Sequence, residues 1–130
     1  MAIIPHLVVP GAVKAIEFYQ KAFGATEVMR MPHDDGRLMH AELKIGDARL
    51  FLCDDFPEFC GGKSRTAKTL GGTPITLHQD VPNCDAAIAK AGAAGATVSM
   101  PAADMFWGDR YGQVTDPYGL VWSFAHPLKK

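Results

Sequence analysis

Among the side chains of this sequence that could do chemistry, His40 and Glu42 stand two residues apart in Met39-His40-Ala41-Glu42-Leu43. On a strand that spacing places both on one face. There the imidazole could take or give a proton while the carboxylate holds or tunes it. The same pair also reads as structural polar groups lining a hydrated cavity. His6, His78 and Ser123 are further polar groups on strand-like segments. His and Glu side chains are also donors for a divalent metal at a non-standard site. No pair among them has tight local ligand spacing, so the expectation is a site without a cofactor, with a displaced metal as the alternative.

The stretch Asp104-Met105-Phe106-Trp107-Gly108-Asp109-Arg110 offers a second chemistry. Arg110 could clamp a carboxylate or phosphate with both arms of its guanidinium, with Phe106 and Trp107 as an apolar wall. Equally, Arg110 could bridge to Asp104 or Asp109 and fix the loop. Cys53 has no cation placed beside it by sequence and reads as an inert thiol. Lys63, Arg65 and Lys68 read as a solvated loop.

The elements that must position these groups come in one order, used twice. Ile3 to Val9 is a strand, broken by Pro10-Gly11. Val13, Ile16, Phe18-Tyr19 and Phe23 then recur at helical spacing up to Gly24, a residue suited to ending a helix. Strands follow over Thr26–Met31, Leu38–Ile45 and Ala48–Cys53, with Gly46-Asp47 as a tight turn. The second half runs strand Ile75–Gln79, helix Asp85–Ala94, strand Thr97–Met100 and a hairpin over about Tyr111–Ala125, turning at Asp116-Pro117-Tyr118-Gly119. The helix exits Gly24-Ala25-Thr26-Glu27-Val28-Met29-Arg30-Met31-Pro32 and Gly95-Ala96-Thr97-Val98-Ser99-Met100-Pro101 match as a duplication. The reading is a single domain: module 1 over about 1–54, a connector or lid over about 55–73, and module 2 over about 74–130.

Alternation then assigns faces. Ile45 pairs with Ala48 and Glu42 with Phe51, so Leu43, Leu50 and Leu52 face the helix while His40, Glu42, Phe51 and Cys53 share the other side. His6 and His78 join that side. If Thr115 pairs with Leu120, Ser123 lies there too, opposite Val114, Gly112 and Arg110.

The 130 residues are 48% hydrophobic and 21% charged, with a net charge of −1. That is the balance of a globular domain able to bury roughly two-thirds of its unfolded surface. No basic run exceeds Lys129-Lys130, so neither a nucleic-acid backbone nor an anionic membrane is an expected partner. Three separated cysteines without a CxxC indicate reduced thiols, and the N-terminus lacks targeting features, so a cytoplasmic protein is expected.

Ala15-Ile16-Glu17-Phe18-Tyr19-Gln20-Lys21-Ala22-Phe23-Gly24-Ala25, the Met39–Leu43 stretch, and Asp104–Gly112 through Asp116–Gly119 resemble the vicinal oxygen chelate superfamily, in its PhnB-like subgroup. That superfamily includes glyoxalases, extradiol dioxygenases and bleomycin resistance proteins. The resemblance implies an α+β fold of tandem βαβββ modules, their curled mixed sheet enclosing one cavity, in a homodimer that takes a small organic ligand. It also implies metal ligands on the first and last strands of each half. Those positions fall on Ile4, Phe51, Pro74 and Ser123, three of which cannot ligate, so the usual metal site is expected to be absent. Two functions follow: a binder of a small molecule, or a lyase, isomerase or dioxygenase using His40 and Glu42 or a displaced metal. The ligand-binding candidates are His6, Phe51, His78, Phe106, Trp107, Arg110 and Ser123.

Overall fold

Short alternating segments separated by glycine turns fold into two units with the same element order, and the computed structural model describes residues 1–129 of them. The first contains β1 (His6–Val9), α1 (Ala12–Phe23), β2 (Thr26–Pro32), β3 (Leu38–Ile45) and β4 (Ala48–Asp54). The second contains β5 (Thr76–Asp80), α3 (Cys84–Ala94), β6 (Thr97–Asp104), β7 (Asp109–Thr115) and β8 (Val121–Pro127). Between them lie a 3₁₀ turn at Pro57–Phe59 and the short α2 (Ala67–Leu70).

Each unit forms its own four-stranded mixed sheet, in the orders β1-β4-β3-β2 and β5-β8-β7-β6. No ladder joins β1 to β5, so hydrogen bonding gives two sheets rather than one continuous one. The helices occupy one face of each sheet and meet each other, with Tyr19 and Phe23 of α1 reaching Trp122 of β8 at ring separations of 5.4 and 4.3 Å. The core lies there, built from Ile16, Tyr19, Leu43, Leu52, Ile88, Val114 and Phe124.

Long-range contacts fix the helix starts. Gly11 at the head of α1 supplies no side chain to cap it, and Asp54 from the end of β4 does so instead. Its Oδ1 accepts the Gly11 and Ala12 N–H groups at 2.8 and 3.0 Å, and its Oδ2 accepts that of Leu38 at 2.7 Å. His126 holds the corresponding place in the second unit, where its Nδ1 accepts the Cys84 N–H at 2.7 Å. Asn83 completes the α3 cap by accepting the Ala86 N–H at 3.0 Å.

The β3–β4 hairpin has the register expected from its two-residue turn, Ile45 with Ala48 and Glu42 with Phe51. The β7–β8 hairpin does not. Asp116 N–H donates to the Leu120 carbonyl at 2.8 Å, so the turn consumes Leu120 and Thr115 pairs with Val121. A one-residue slip exchanges the faces. Gln113, not Gly112, therefore opposes Ser123, while Arg110, Gly112 and Val114 lie on the α3 side.

Candidate functional site on the open sheet faces

The faces opposite the helices carry two equivalent rows. In the first sheet His6 pairs with Phe51, Phe51 with Glu42 and Glu42 with Met29. In the second, His78 pairs with Ser123, Ser123 with Gln113 and Gln113 with Met100. The first three positions of each row carry the polar and aromatic groups, and a methionine closes the fourth. Both faces are open within one chain: Met29, Met31 and Met100 are exposed, as are His6 and His78.

On the first face His6, His40 and Phe51 form one aromatic cluster, with His40 and Phe51 edge to face at 4.7 Å and His6 and His40 at 5.6 Å. Arg49, absent from the sequence-based candidates, lies over the Phe51 ring at 5.3 Å and binds the Glu42 carboxylate with two hydrogen bonds of 3.0 and 3.1 Å. Those bonds hold the Glu42 carboxyl below the usual carboxylate range. His40 and Glu42 thus share a face as alternation requires, but the hydrogen bonds of Glu42 go to Arg49 rather than to His40. Arg49 was legible in principle, since it lies diagonal to Glu42 across the hairpin, within reach of a long side chain.

Burial first, then the neighbouring His40 and Arg65, push the His6 imidazole below its ordinary value of 6.5. The folded state therefore favours the neutral ring. This contribution to stability is complete above pH 6.5 and is lost as pH falls through 6.5 toward the folded-state value. An NMR titration is expected to place the His6 midpoint below 6.5, and Arg65→Met should raise it only partway, because burial is the larger cause. A wild-type midpoint at or above 6.5 would contradict this placement.

On the second face the His78 ring bridges Ser123 Oγ, 2.8 Å from Nδ1, and Asp80 Oδ1, 3.0 Å from Nε2. It stacks on Tyr111 with centroids 6.2 Å apart, and Trp107 packs edge to face with the Tyr111 ring at 5.7 Å. Hydroxyl, imidazole and carboxylate in a chain have the connectivity of an activated nucleophile. Ser123 is only 1% exposed, however, which keeps its oxygen from an incoming substrate and makes it an anchor for the His78 ring. Asp80 is the group sequence reasoning missed here, although it stands two residues beyond His78 on the same face.

Trp107 and Phe106 lie at the rim, 51% and 97% exposed, and Trp107 Nε1 donates to Asp109 at 3.1 Å. Arg110 is not with them. Its guanidinium donates to both carboxylate oxygens of Asp85 at 2.6 and 2.9 Å and to Asp104 at 2.9 Å, on the α3 side of the sheet. The loop-fixing bridge is therefore the arrangement present, and the substrate clamp on the open face is corrected by the β7–β8 register. Cys53 lies on the first face with its thiol pushed up by burial and then by Asp54, consistent with an inert group.

The resemblance assigns metal ligands to Ile4, Phe51, Pro74 and Ser123. Ile4, Phe51 and Pro74 offer no donor atom, and the Ser123 hydroxyl is engaged by His78. Among the described residues no group of three or more His, Cys, Asp or Glu side chains is arranged to hold a metal ion, and no helix is long and apolar enough to cross a membrane.

The family model for the Glyoxalase/Bleomycin resistance protein/Dioxygenase superfamily matches residues 3–124. An uncharacterised protein of Mycobacterium bovis is 50% identical over 129 residues, covering 99% of this chain and 85% of that relative. The crystal structure of a gene product from Arabidopsis thaliana superposes with a TM-score of 0.78 at 29% identity, over 97% of this chain and 98% of that one. The PhnB protein from Bacillus cereus shares the fold, with a TM-score of 0.69 at 17% identity over 95% and 98% of the two chains.

Proposed function

Because the chain belongs to the Glyoxalase/Bleomycin resistance protein/Dioxygenase superfamily, we propose that it binds a small organic molecule on its open sheet faces without the superfamily's usual metal. One observation carries this reading. Three of the four positions that the resemblance assigns to the metal have no side-chain donor atom, yet the faces around them present His6, His40, Phe51, Glu42 and Arg49 on one sheet and His78, anchored by Ser123, with Trp107 on the other. Aromatic surface with a few fixed polar groups is the lining small-molecule sites use. Glu42 is ionised and held by Arg49, so the first face offers hydrogen-bond acceptors beside an imidazole edge and an aromatic ring.

A face open in one chain becomes a cavity when a second copy covers it. In the proposed homodimer the first face of one copy meets the second face of its partner, burying the exposed methionines and closing the ligand space. The polar character of each row keeps such an interface from packing solid. A metal-free enzyme is the second reading, favoured by His40 and Glu42 sharing one open face and by the exposed His78 imidazole held beside Asp80. It differs in what His40 and Glu42 would do: chemistry on them predicts loss of turnover with affinity kept.

Native mass spectrometry of the purified protein, exposed to a mixed library of small aromatic and polar compounds, tests association and binding together. The expected species is a dimer carrying ligand, and His40→Ala and Glu42→Gln are each expected to weaken retention of the same compounds by about tenfold. A ligand-free monomer at micromolar concentration would overturn the reading. Unchanged retention with loss of product formation would transfer it to the enzymatic alternative.

A further inference from the structure

A separate cavity of about 360 Å³ lies where the edge strands β1 and β5 approach each other, under the connector. Its walls are apolar: Leu7 and Val8 from β1, Ala67 and Leu70 from α2, and Leu77 and Leu120 from the second module. No carboxylate lines it. The polar lining that carries charge at neutral pH is Arg65, and His6 borders the cavity beside it.

Arg65 differs from the other arginines. Arg30 pairs with Glu27, Arg37 with Asp35 and Glu58, Arg49 with Glu42, and Arg110 with Asp85 and Asp104. Among the described residues the Arg65 guanidinium has no carboxylate partner. Its backbone is nevertheless fixed: Asp55 accepts the Arg65 N–H at 3.2 Å and the Ser64 hydroxyl, and Thr66 is buried directly after it. A lone guanidinium held by a fixed loop at an apolar cavity presents a fork of donors matched to a carboxylate, with room behind it for a hydrocarbon body.

We propose that this inter-module cavity is a second binding site, selective for small amphiphilic carboxylates, in which Arg65 pairs with the acid and the β1, α2 and β5 side chains enclose the apolar part. The site is distinct from the open faces and does not rest on them, although His6 borders both. Arg65 and His6 line the same cavity, and the Arg65 charge is one of the causes that lower the His6 pKa. The connector thereby supplies a binding wall as well as a covalent link.

The test uses octanoate and octanamide, which share a tail and differ in charge, followed through the methyl NMR signals of Leu7, Leu77 and Leu120. Octanoate is expected to shift these methyls, and octanamide to bind at least ~5-fold more weakly. Arg65→Met should reduce octanoate affinity to that of the amide, roughly 5- to 10-fold, with Arg65→Lys intermediate because it keeps the charge and loses the fork. Lys63→Met removes the same charge outside the cavity and should leave octanoate affinity unchanged. The proposal is overturned if octanoate leaves these methyls unshifted, if the amide binds as well as the acid, or if Arg65→Met binds octanoate like the wild type. None of those results bears on ligand retention at His40 and Glu42, so the two sites fail independently.

Discussion

Asp116→Ala is expected to destabilise the protein by about 4 kcal/mol, a large share of the roughly 5–15 kcal/mol that holds a typical domain together. The carboxylate is 3% exposed and accepts from four donors. Its Oδ1 receives the Tyr118 and Leu120 N–H groups, each at 2.9 Å, and so shapes the β7–β8 turn. Its Oδ2 receives the Tyr19 hydroxyl at 2.7 Å and Trp122 Nε1 at 2.9 Å, joining α1 of the first unit to β8 of the second. Alanine removes every acceptor and leaves buried donors without water or protein to satisfy them. Burial, then the nearby Asp116 charge, pushes the Tyr19 phenol well above its ordinary range, so it stays a donor at any ordinary pH. Asp116→Asn keeps one oxygen but turns an N–H toward Trp122, which has no lone pair to offer, and should cost about half as much. Urea unfolding with an unchanged slope would report these losses as shifts in midpoint. A cost within about 1 kcal/mol of wild type for the alanine variant would show that the turn and the inter-unit contact do not depend on this carboxylate.

The frame of the site was legible where a short, strongly signalled turn set the register. Gly46-Asp47 fixed the β3–β4 pairing, and from it followed the burial of Leu43, Leu50 and Leu52 and the open placement of His40, Glu42 and Phe51. The second hairpin was not legible to the residue, because a five-residue turn closed by Asp116 and Leu120 looks, in sequence, like a four-residue one. That single position moved Arg110 from the open face to Asp85. The Asp54 and His126 caps were missed for a different reason: each reaches its helix across more than forty residues of chain, and no local pattern announces such a partner. Arg65 reads as a solvated loop residue because composition cannot show that the connector folds over a cavity. Duplication, by contrast, was legible in the helix exits and reappears in the structure as the equivalence of the His6 and His78 rows.

Gly112→Ala should cost about 2–3 kcal/mol, although nothing in the backbone conformation forbids a side chain there. The cause is proximity. A Cβ at Gly112 would lie 2.3 Å from Ile88 Cδ1, 2.9 Å from the Met100 carbonyl oxygen and 3.1 Å from the Ala102 N. The Ile88 terminus can rotate or be trimmed, whereas the Met100 carbonyl and Ala102 amide belong to β6 and can move only with the strand. Ile88→Ala alone opens a void under α3 and should itself cost about 2–4 kcal/mol. Combined with Gly112→Ala, the new methyl partly fills that void, so the double variant should be more stable than the sum of the single losses by over about 1 kcal/mol. Additive losses would mean that the backbone contacts, not Ile88, set the penalty. The consequence reaches the candidate site because Tyr111 and Gln113 flank Gly112 and point to the opposite face. Pushing β7 away from α3 displaces the Tyr111 ring on which His78 stacks, so NMR signals of His78 and Trp107 are expected to shift in Gly112→Ala and to return toward wild type in the double variant. The close approach of α3 to β7, made possible by one missing methyl group, is thus part of what holds the open face in shape.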